Sequence, residues 1–394
     1  MAVTTSWERQ LKMWAPHLSV IKIHNRRRHL FLDSLEIGEH DVYICHWDAL
    51  RLMPELTETK WFHIIGDEIH KIQNHKTKVS KHLKEIPTTF KTGLSGTPAY
   101  DKPDDLWSVL NWLYPTFWTS YWSYFNRYVL WVDYNGYKQI IGVANQEELQ
   151  QQMRGFYIRR KKEEVMHELP EKTFTQMFVD LTPKQRRAYN QMRDSMLSWI
   201  GENEDKPVAA TAVVSQLIRL QQFASAHATF TDDGKMILSD PSSKIDAAIE
   251  LLYSTNKQIV FFSQFTQVIN LFCERLKKNK ISFGKYTGET SSKEREKTVQ
   301  GFISGDLRVF AGNVSAGGTG LDGLQVADTL VFFDRPWSHS VFEQAVGRLD
   351  RIGQKNNIQI IDLIAAGTIE RKRIEKINME WTWIKELLGE DDDE

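Results

Sequence analysis

Cysteine is scarce in this chain, and its two copies are badly placed for cross-linking or metal binding. Cys45 and Cys273 lie far apart in the 394 residues, and neither belongs to a CxxC pair. Disulfide frameworks and cysteine zinc sites both need clustered or paired cysteines, so this spacing argues against them. A reducing compartment fits the sequence best.

Long apolar runs and an excess of charge of either sign are also missing. No run approaches the roughly 18 apolar residues of a membrane-spanning helix, and the opening MAVTTSWERQ lacks the pattern of a signal peptide. Lys and Arg number 50 against 51 Asp and Glu. We therefore expect a soluble, intracellular protein without a membrane partner, on which any basic surface is local.

Short apolar strands alternate with helical segments in two parts of the chain. In the first hundred residues, VYIC (42–45), FHII (62–65) and KTGL (91–94) surround a helical stretch at 71–85. The alternation returns with the strand-like segments IVFFS (259–263), LRVFAG (307–312), TLVFFD (329–334) and IQIIDLI (358–364). This pattern predicts βαβ units and parallel sheets.

The residues between these parts are mostly helical in pattern. Pro183 after Thr182 is typical of a helix start, and Ser243 is suited to cap the next helix. Five tryptophans lie between Trp107 and Trp131. At helical spacing such residues pack more often than they stack on bases. We predict four parts: a first lobe (1–103), a helical insertion and linker (104–240), a second lobe (241–366), and a C-terminal helix with an acidic tail (367–394).

Two adjacent carboxylates follow the second predicted strand, in the string IIGDEIH (64–70). Ligands collect at the carboxyl ends of parallel strands because the loops converge there. Asp67 is suited to hold Mg²⁺, and Glu68 to position and deprotonate an attacking water. Mg²⁺ and an attacking water at such a pair are typical of enzymes that hydrolyse nucleoside triphosphates. His70, Ser95 and Thr97 would then report the state of the bound nucleotide to the rest of the protein. The alternative is a plain surface turn, since a DExH-like string alone is a weak signal.

Two arginines, Arg348 and Arg351, form a second candidate site in QAVGRLDRIGQ (344–354). Residues three apart share one helical face, and two neighbouring guanidiniums favour an anion such as a triphosphate. The alternative is a surface pair neutralised by Asp350, Asp362 or Glu343.

A glycine-rich segment, SAGGTGLD (315–322), follows the strand at 307–312. Its backbone N–H groups and the hydroxyls of Ser315 and Thr319 could grip a backbone phosphate. A glycine turn without a ligand is the alternative.

Taken in order along the chain, these strings resemble the Swi/Snf-like branch of superfamily two helicases. The matching strings are WER (7–9) with WAP (14–16), DEIH (67–70), LSGTP (94–98), LWSVLNWLYP (106–115), IRRKKEEV with ELPEK (158–172), LTPKQRRAY (181–189), VFFSQF (260–265), GGTGLDGLQVAD (317–328) and FDRPWSHSVFEQAVGRLDRIGQ (333–354). The chain departs from the family at Ile69, where alanine is usual, at Leu349-Asp350, and at Gly323, an extra residue. None of these departures removes a charge that the chemistry needs.

The resemblance implies an α/β fold of two RecA-like, doubly wound parallel-sheet lobes with a helical insertion between them. It implies a DNA-dependent ATPase that binds ATP and Mg²⁺ between the lobes and moves on double-stranded DNA through backbone contacts. The catalytic residues would be Asp67, Glu68, Gln344, Arg348 and Arg351, with Asp67 and Glu68 at the metal. The nucleotide would be bound by Asp67, His70, Gly320, Asp322, Arg348 and Arg351. The DNA would be contacted by Ser263, Gln264, Ser315, Gly318 and Thr319, and coupled to the nucleotide by Ser95 and Thr97.

The phosphate-binding P-loop, GxxxxGK[ST], is missing from the sequence. Its two Gly-Lys dipeptides precede Met236 and Tyr286 rather than Ser or Thr. We therefore expect negligible ATP hydrolysis by this chain alone. Three hypotheses remain open: a translocase whose P-loop comes from another polypeptide segment, a catalytically silent DNA-binding or adaptor protein, and, with less support, a DNA-processing nuclease.

Overall fold

The computed structural model describes residues 2–23, 38–53, 55–96, 99, 102–134, 137–160, 162–166, 168–202, 210–314 and 321–388. Two compact units share the chain. The first comprises residues 1–159, 338–340 and 378–394, and the second comprises residues 160–337 and 341–377.

The first unit contains two parallel strand pairs, an antiparallel hairpin and several short helices. Its elements are α1 (Ala2–Trp14), β1 (Val20–Lys22), β2 (Val42–Ile44), α2 (Ala49–Leu52), α3 (Glu55–Glu58), β3 (Trp61–Asp67), α4 (Lys78–Glu85), β4 (Thr88–Leu94), α5 (Asp105–Leu113), α6 (Tyr121–Tyr128), β5 (Val129–Tyr134), β6 (Tyr137–Val143) and α7 (Gln146–Met153). Strand β1 pairs with β2 and β3 with β4, both in parallel, and β5 pairs with β6 in the antiparallel hairpin. The parallel pairs confirm the strands predicted at 42–45, 62–65 and 91–94.

The second unit is built around a six-stranded sheet. Its elements are α8 (Lys162–Val165), β7 (Lys172–Val179), α9 (Pro183–Glu202), α10 (Ala210–Ser225), β8 (His227–Phe230), β9 (Met236–Ser239), α11 (Ser243–Ser254), β10 (Ile259–Ser263), α12 (Thr266–Lys278), β11 (Phe283–Tyr286), α13 (Ser292–Ile303), β12 (Val309–Asn313), β13 (Thr329–Phe332), α14 (His339–Val346), β14 (Ile358–Ala365) and α15 (Glu370–Leu388). Helices α14 and α15 each contribute residues to both units.

All neighbouring strands of this sheet run parallel, in the order β11-β12-β10-β13-β14-β7. Strands β10 and β12 are buried along their whole length. Their side chains alternate between two hydrophobic cores, with Phe261 in one and Phe262 in the other. A parallel sheet covered on both faces is the doubly wound arrangement, so the predicted α/β fold class is confirmed.

Three local predictions need correction. The middle of the chain, predicted to be mostly helical, also contains β5 to β9. The helix predicted over 71–85 is shorter, because a 3₁₀ turn (Ile69–Ile72) precedes α4. The cap of α11 is Ser242 rather than Ser243, since the Ser242 side chain accepts the hydrogen bond from the Ile245 N–H. The division into four parts stays a prediction.

Candidate nucleotide-binding and DNA-binding sites

The carboxyl end of β3 is held by two tryptophan side chains. Asp67 is the last residue of β3, and its Oδ2 atom accepts a hydrogen bond from Trp7 Nε1 at 2.8 Å. The main-chain oxygen of Asp67 accepts another from Trp47 Nε1 at 3.0 Å. An indole N–H only donates, so these contacts fix the strand end and orient one carboxylate oxygen.

Two glycines leave room for Ile69 against the β3–β4 pair. Gly66 on β3 and Gly93 on β4 are partners in register. A Cβ atom on Gly66 would lie 2.7 Å from Ile69 Cδ1, and a Cβ on Gly93 would lie 3.1 Å from Ile69 Cγ1. Ile69 is buried. The departure from the family's alanine is therefore a core residue, and it leaves the two carboxylates at the strand end.

Glu68 turns the chain sharply between β3 and the 3₁₀ turn. Its backbone is left-handed, with φ 53° and ψ 54°. For a residue other than glycine this conformation costs about 1–3 kcal/mol, and such strain clusters at functional sites. Its Oε2 atom lies 3.2 Å from Nδ1 of His70.

His70 connects the ends of the two neighbouring strands. Its Nδ1 atom also lies 3.2 Å from the hydroxyl of Ser95, which follows β4. His70 is only 4% exposed, and burial, reinforced by the charge of Lys71, lowers its pKa to about 4. The imidazole is therefore neutral near pH 7. Thr97, the other predicted coupling residue, lies outside the described residues.

The donor set at this strand end suits Mg²⁺. This ion prefers oxygen ligands, keeps several waters, and usually takes one or two carboxylates together with substrate phosphates. Asp67 and Glu68 offer such carboxylates. Among the described residues, no group of three or more His, Cys, Asp or Glu side chains is placed to hold a metal ion.

The two arginines of the second unit point at one carbonyl group. Arg348 Nη1 lies 3.3 Å and Arg351 Nη1 lies 3.4 Å from the main-chain oxygen of Leu321. Helix α14 ends at Val346, so both arginines lie in the turns that follow it rather than on the predicted helix. The guanidiniums are nevertheless neighbours. Gln344 lies on α14 itself.

Arg351 has an acidic partner that the sequence does not single out for it. Arg351 forms an ion pair with Asp322. The buried Asp350 instead pairs with Lys172 at 3.1 Å and with Lys162 at 3.5 Å. Asp362 pairs with Arg335 at 3.3 Å. Arg351 is thus neutralised by a carboxylate that is itself a predicted nucleotide ligand.

Asp334 organises the predicted DNA-contacting residues at the end of β10. Its Oδ2 atom accepts a hydrogen bond from the Ser263 hydroxyl at 2.5 Å, and its Oδ1 atom accepts one from the Gln264 N–H at 2.7 Å. Ser263 is fully buried, as is Asp334, and burial raises the pKa of Asp334. The other DNA-contacting candidates Ser315, Gly318 and Thr319, and the nucleotide ligand Gly320, lie outside the described residues.

A buried ion pair in the second unit was not foreseen from the sequence. Lys244 on α11 is fully buried, and its Nζ atom donates to Glu370 Oε1 at 2.7 Å and to the main-chain oxygen of Phe333 at 2.6 Å. Glu370 Oε2 accepts the Ala365 N–H at 2.8 Å. The contact fixes the chain next to Asp334. No local sequence signal marks it, because a lysine near a helix start is ordinarily a surface residue.

Two family models match the chain. The SNF2-related domain matches residues 1–228. The chain belongs to the SNF2-related family. The helicase conserved C-terminal domain matches residues 243–353 of the same SNF2-related chain. This confirms the resemblance stated from the motifs.

Relatives of this SNF2-related chain include bacterial proteins described as helicases. An uncharacterized ATP-dependent helicase of Mycoplasma genitalium is 27% identical over 98% of the chain and 36% of the relative. A putative ATP-dependent helicase/translocase of Bacillus subtilis is 30% identical over 94% of the chain and 40% of the relative. The chain therefore spans well under half of the length of these curated relatives.

Among solved structures, the Sulfolobus solfataricus SWI2/SNF2 ATPase core in complex with double-stranded DNA is 24% identical. The match covers 98% of the SNF2-related chain and 84% of that structure, with a TM-score of 0.42.

No helix in the described parts of the chain is both long enough and apolar enough to cross a bilayer.

Proposed function

We propose that this SNF2-related chain carries two parts of an ATP-driven motor that moves on double-stranded DNA. The first unit supplies the Mg²⁺ and water carboxylates, Asp67 and Glu68. The second supplies Arg348 and Arg351 for the γ-phosphate, with Gln344 beside them. The observation that carries the proposal is the strained, positioned pair at the end of β3, where Trp7 orients Asp67 and His70 lies against Glu68.

In this proposal each group does one chemical task. Glu68 accepts the proton of the attacking water, and the arginines stabilise charge that develops on the transferred phosphoryl group. Bound Mg²⁺ would supply charge neutralisation of the phosphate oxygens. His70 and Ser95 transmit the state of this site to the end of β4, because one imidazole nitrogen contacts both sides.

In this proposal the chain binds DNA through contacts to the phosphate backbone. A motor that moves along any sequence cannot depend on base edges, so its affinity should fall with salt and not vary with sequence. Gln264, held beside Asp334, and the glycine-rich segment 315–320 are the proposed contacts. Fluorescence anisotropy with two unrelated duplexes at several salt concentrations measures both properties.

The phosphate cradle is proposed to come from polypeptide other than these 394 residues. The purified chain should therefore hydrolyse ATP only at background rates. A fusion that adds a strand, a GxxxxGK[ST] loop and a helix before Trp7 should show hydrolysis stimulated by duplex DNA. Glu68→Gln and Arg351→Ala should each abolish it, whereas the exposed Glu274→Gln on α12 should not.

A catalytically silent adaptor is the second candidate, and the missing P-loop motif favours it. If the chain is such an adaptor, the fusion described above should bind duplex DNA normally but should not hydrolyse ATP. Hydrolysis by the unfused chain, lost in Glu68→Gln, would instead contradict the proposal that the cradle lies elsewhere.

A further inference from the structure

Three aromatic rings surround the ammonium group of Lys138 in the first unit. Its Nζ atom lies 3.9 Å from the ring centroid of Trp131, 4.7 Å from that of Trp122 and 5.2 Å from that of Phe125. A cation within about 6 Å of an aromatic face is attracted by the negative potential of the ring. Three such faces converge on one charge, and we call Trp122, Phe125 and Trp131 the aromatic cage.

Local structure brings the cage together from two elements. Trp122 and Phe125 are three residues apart on α6, so they project from one helical face. The N-cap Ser120 fixes the start of this helix by accepting the Ser123 N–H at 3.2 Å. Trp131 lies on β5, and its ring is 6.3 Å from that of Phe125.

The hairpin register delivers Lys138 to the cage. Trp131 pairs with Ile140, and Asp133 pairs with Lys138. Alternate residues of a strand share one face, so these four residues lie on the same face of the hairpin. Trp131 and Ile140 pack on the core that contains Phe125. The same register places Asp133 opposite Lys138, so an acidic residue lies on the strand beside it.

The mouth of the cage is open to solvent. Trp122 is 56% exposed and Lys138 is exposed, whereas Phe125 is buried at the base. The other tryptophans of the tract behave differently, since Trp107, Trp112 and Trp118 are buried core residues. Packing explains those three. The ammonium group of Lys138 lies instead at the open end, within 6 Å of three ring centroids.

We propose that the aromatic cage binds an alkylammonium group from a partner protein, the side chain of a lysine or methylated lysine, and that Lys138 is its built-in competitor. Lys138, whose alkylammonium group already lies among the three rings, shows that the cage accepts this chemical group. Methylation spreads the charge over a larger, more weakly hydrated surface, which suits an aromatic cage better than a free ammonium. The partner's group would bind when Lys138 swings out.

The first experiment titrates tetramethylammonium into the full chain and follows tryptophan fluorescence. Lys138→Ala should bind it saturably. If Lys138 fills the cage about nine-tenths of the time, the wild-type chain should bind about tenfold more weakly. Lys138→Ala with Trp131→Ala should lose binding. The matched control is Lys84→Ala, which removes a lysine that lies 4.6 Å from the single ring of Trp107 and should leave the wild-type affinity unchanged.

A neutral probe of the same shape separates cation binding from apolar binding. Neohexanol, whose tert-butyl group replaces the trimethylammonium head, should not bind to Lys138→Ala. Equal binding of both probes would overturn the proposal. So would a folded Lys138→Ala chain that shows no saturable binding of tetramethylammonium.

A second measurement is made on the wild-type chain and uses a conservative variant only for assignment. Lysines of the wild-type chain are methylated reductively with ¹³C-formaldehyde, and the Lys138 signal is assigned by its loss in Lys138→Arg. Ring currents should shift this signal upfield, and tetramethylammonium should return it towards the free-lysine position. A Lys138 signal that saturating tetramethylammonium does not move would overturn the proposal. Quenching of Trp122 by a thymidine oligonucleotide, with no response to tetramethylammonium, would assign the cage to base stacking instead.

Discussion

Arg351 and Asp322, 29 residues apart in the chain, form an ion pair in the second unit. Both side chains are partly exposed, so the pair contributes little to stability and is screened by salt. Its significance is that one of the two arginines proposed for the γ-phosphate is already bound to a carboxylate.

The first prediction is that Asp322→Asn strengthens binding of tripolyphosphate to the chain. Removing the competing carboxylate should raise affinity about threefold, in line with the ~0.2–1 kcal/mol of an exposed ion pair, and less at high salt. Isothermal titration calorimetry measures the change, and Arg351→Ala should weaken binding. The exposed Glu274→Gln, with the same change of charge, is the control. Weaker binding by Asp322→Asn would show that Asp322 does not compete for Arg351.

The second prediction concerns the indole that orients Asp67. Trp7→Phe removes the Nε1 donor but keeps most of the packing, and should lower the free energy of unfolding by about 1 kcal/mol. Trp14→Phe is the matched control, because Trp14 Nε1 donates to the exposed side chain of Gln10 at 3.0 Å. Urea denaturation of both variants gives the comparison. Equal losses in the two variants would mean that the bond to Asp67 stabilises the fold no more than the exposed bond between Trp14 and Gln10 does.

The third prediction tests the fit between Ile69 and Gly66. Ile69→Ala should leave a cavity and cost about 2–4 kcal/mol. Gly66→Ala should also destabilise, because its Cβ would lie 2.7 Å from Ile69 Cδ1. In the double variant that atom is gone, so the added cost of Gly66→Ala should shrink. A double-mutant cycle by chemical denaturation measures the coupling, and strictly additive losses would contradict the contact.

The sequence predicts best those elements whose own residues specify them. The strand expected at IVFFS (259–263) is β10 with those bounds, because four consecutive β-branched and aromatic residues favour a buried strand. Strand β7 was missed. Its residues, KTFTQMFV, do not alternate regularly between polar and apolar, and Phe174 and Phe178 are exposed, so the segment carries no clear strand signal.

For the candidate sites, too, the sequence shows local motifs but not contacts between distant residues. DEIH and the two arginines could be singled out as candidates because the residues of each motif lie within a few positions of one another. The Trp7–Asp67 contact joins residues 60 apart, and the partner of Arg351 lies in another loop. Such pairings follow from tertiary structure, which the spacing of residues along the chain does not contain.

The fourth prediction concerns the buried Lys244–Glu370 pair. Lys244→Met should cost about 3–5 kcal/mol, because it leaves a buried carboxylate without its counter-charge. Adding Glu370→Gln should recover part of the loss, since the amide oxygen can still accept the Ala365 N–H. Arg371→Ala, which breaks the exposed pair with Glu375, is the control and should stay within about 0.5 kcal/mol. Thermal unfolding distinguishes these cases, and a tolerated Lys244→Met would contradict the expected penalty.

Strand β7 decides where a separately expressed second lobe should begin. A fragment that starts at residue 241 contains the helicase C-terminal match but lacks β7, so β14 would become an unprotected edge of eight residues, seven of them buried in the intact sheet. Long apolar edges of this kind recruit other chains and aggregate. A fragment that starts at Arg160 keeps the edge covered and should remain monomeric in size-exclusion chromatography.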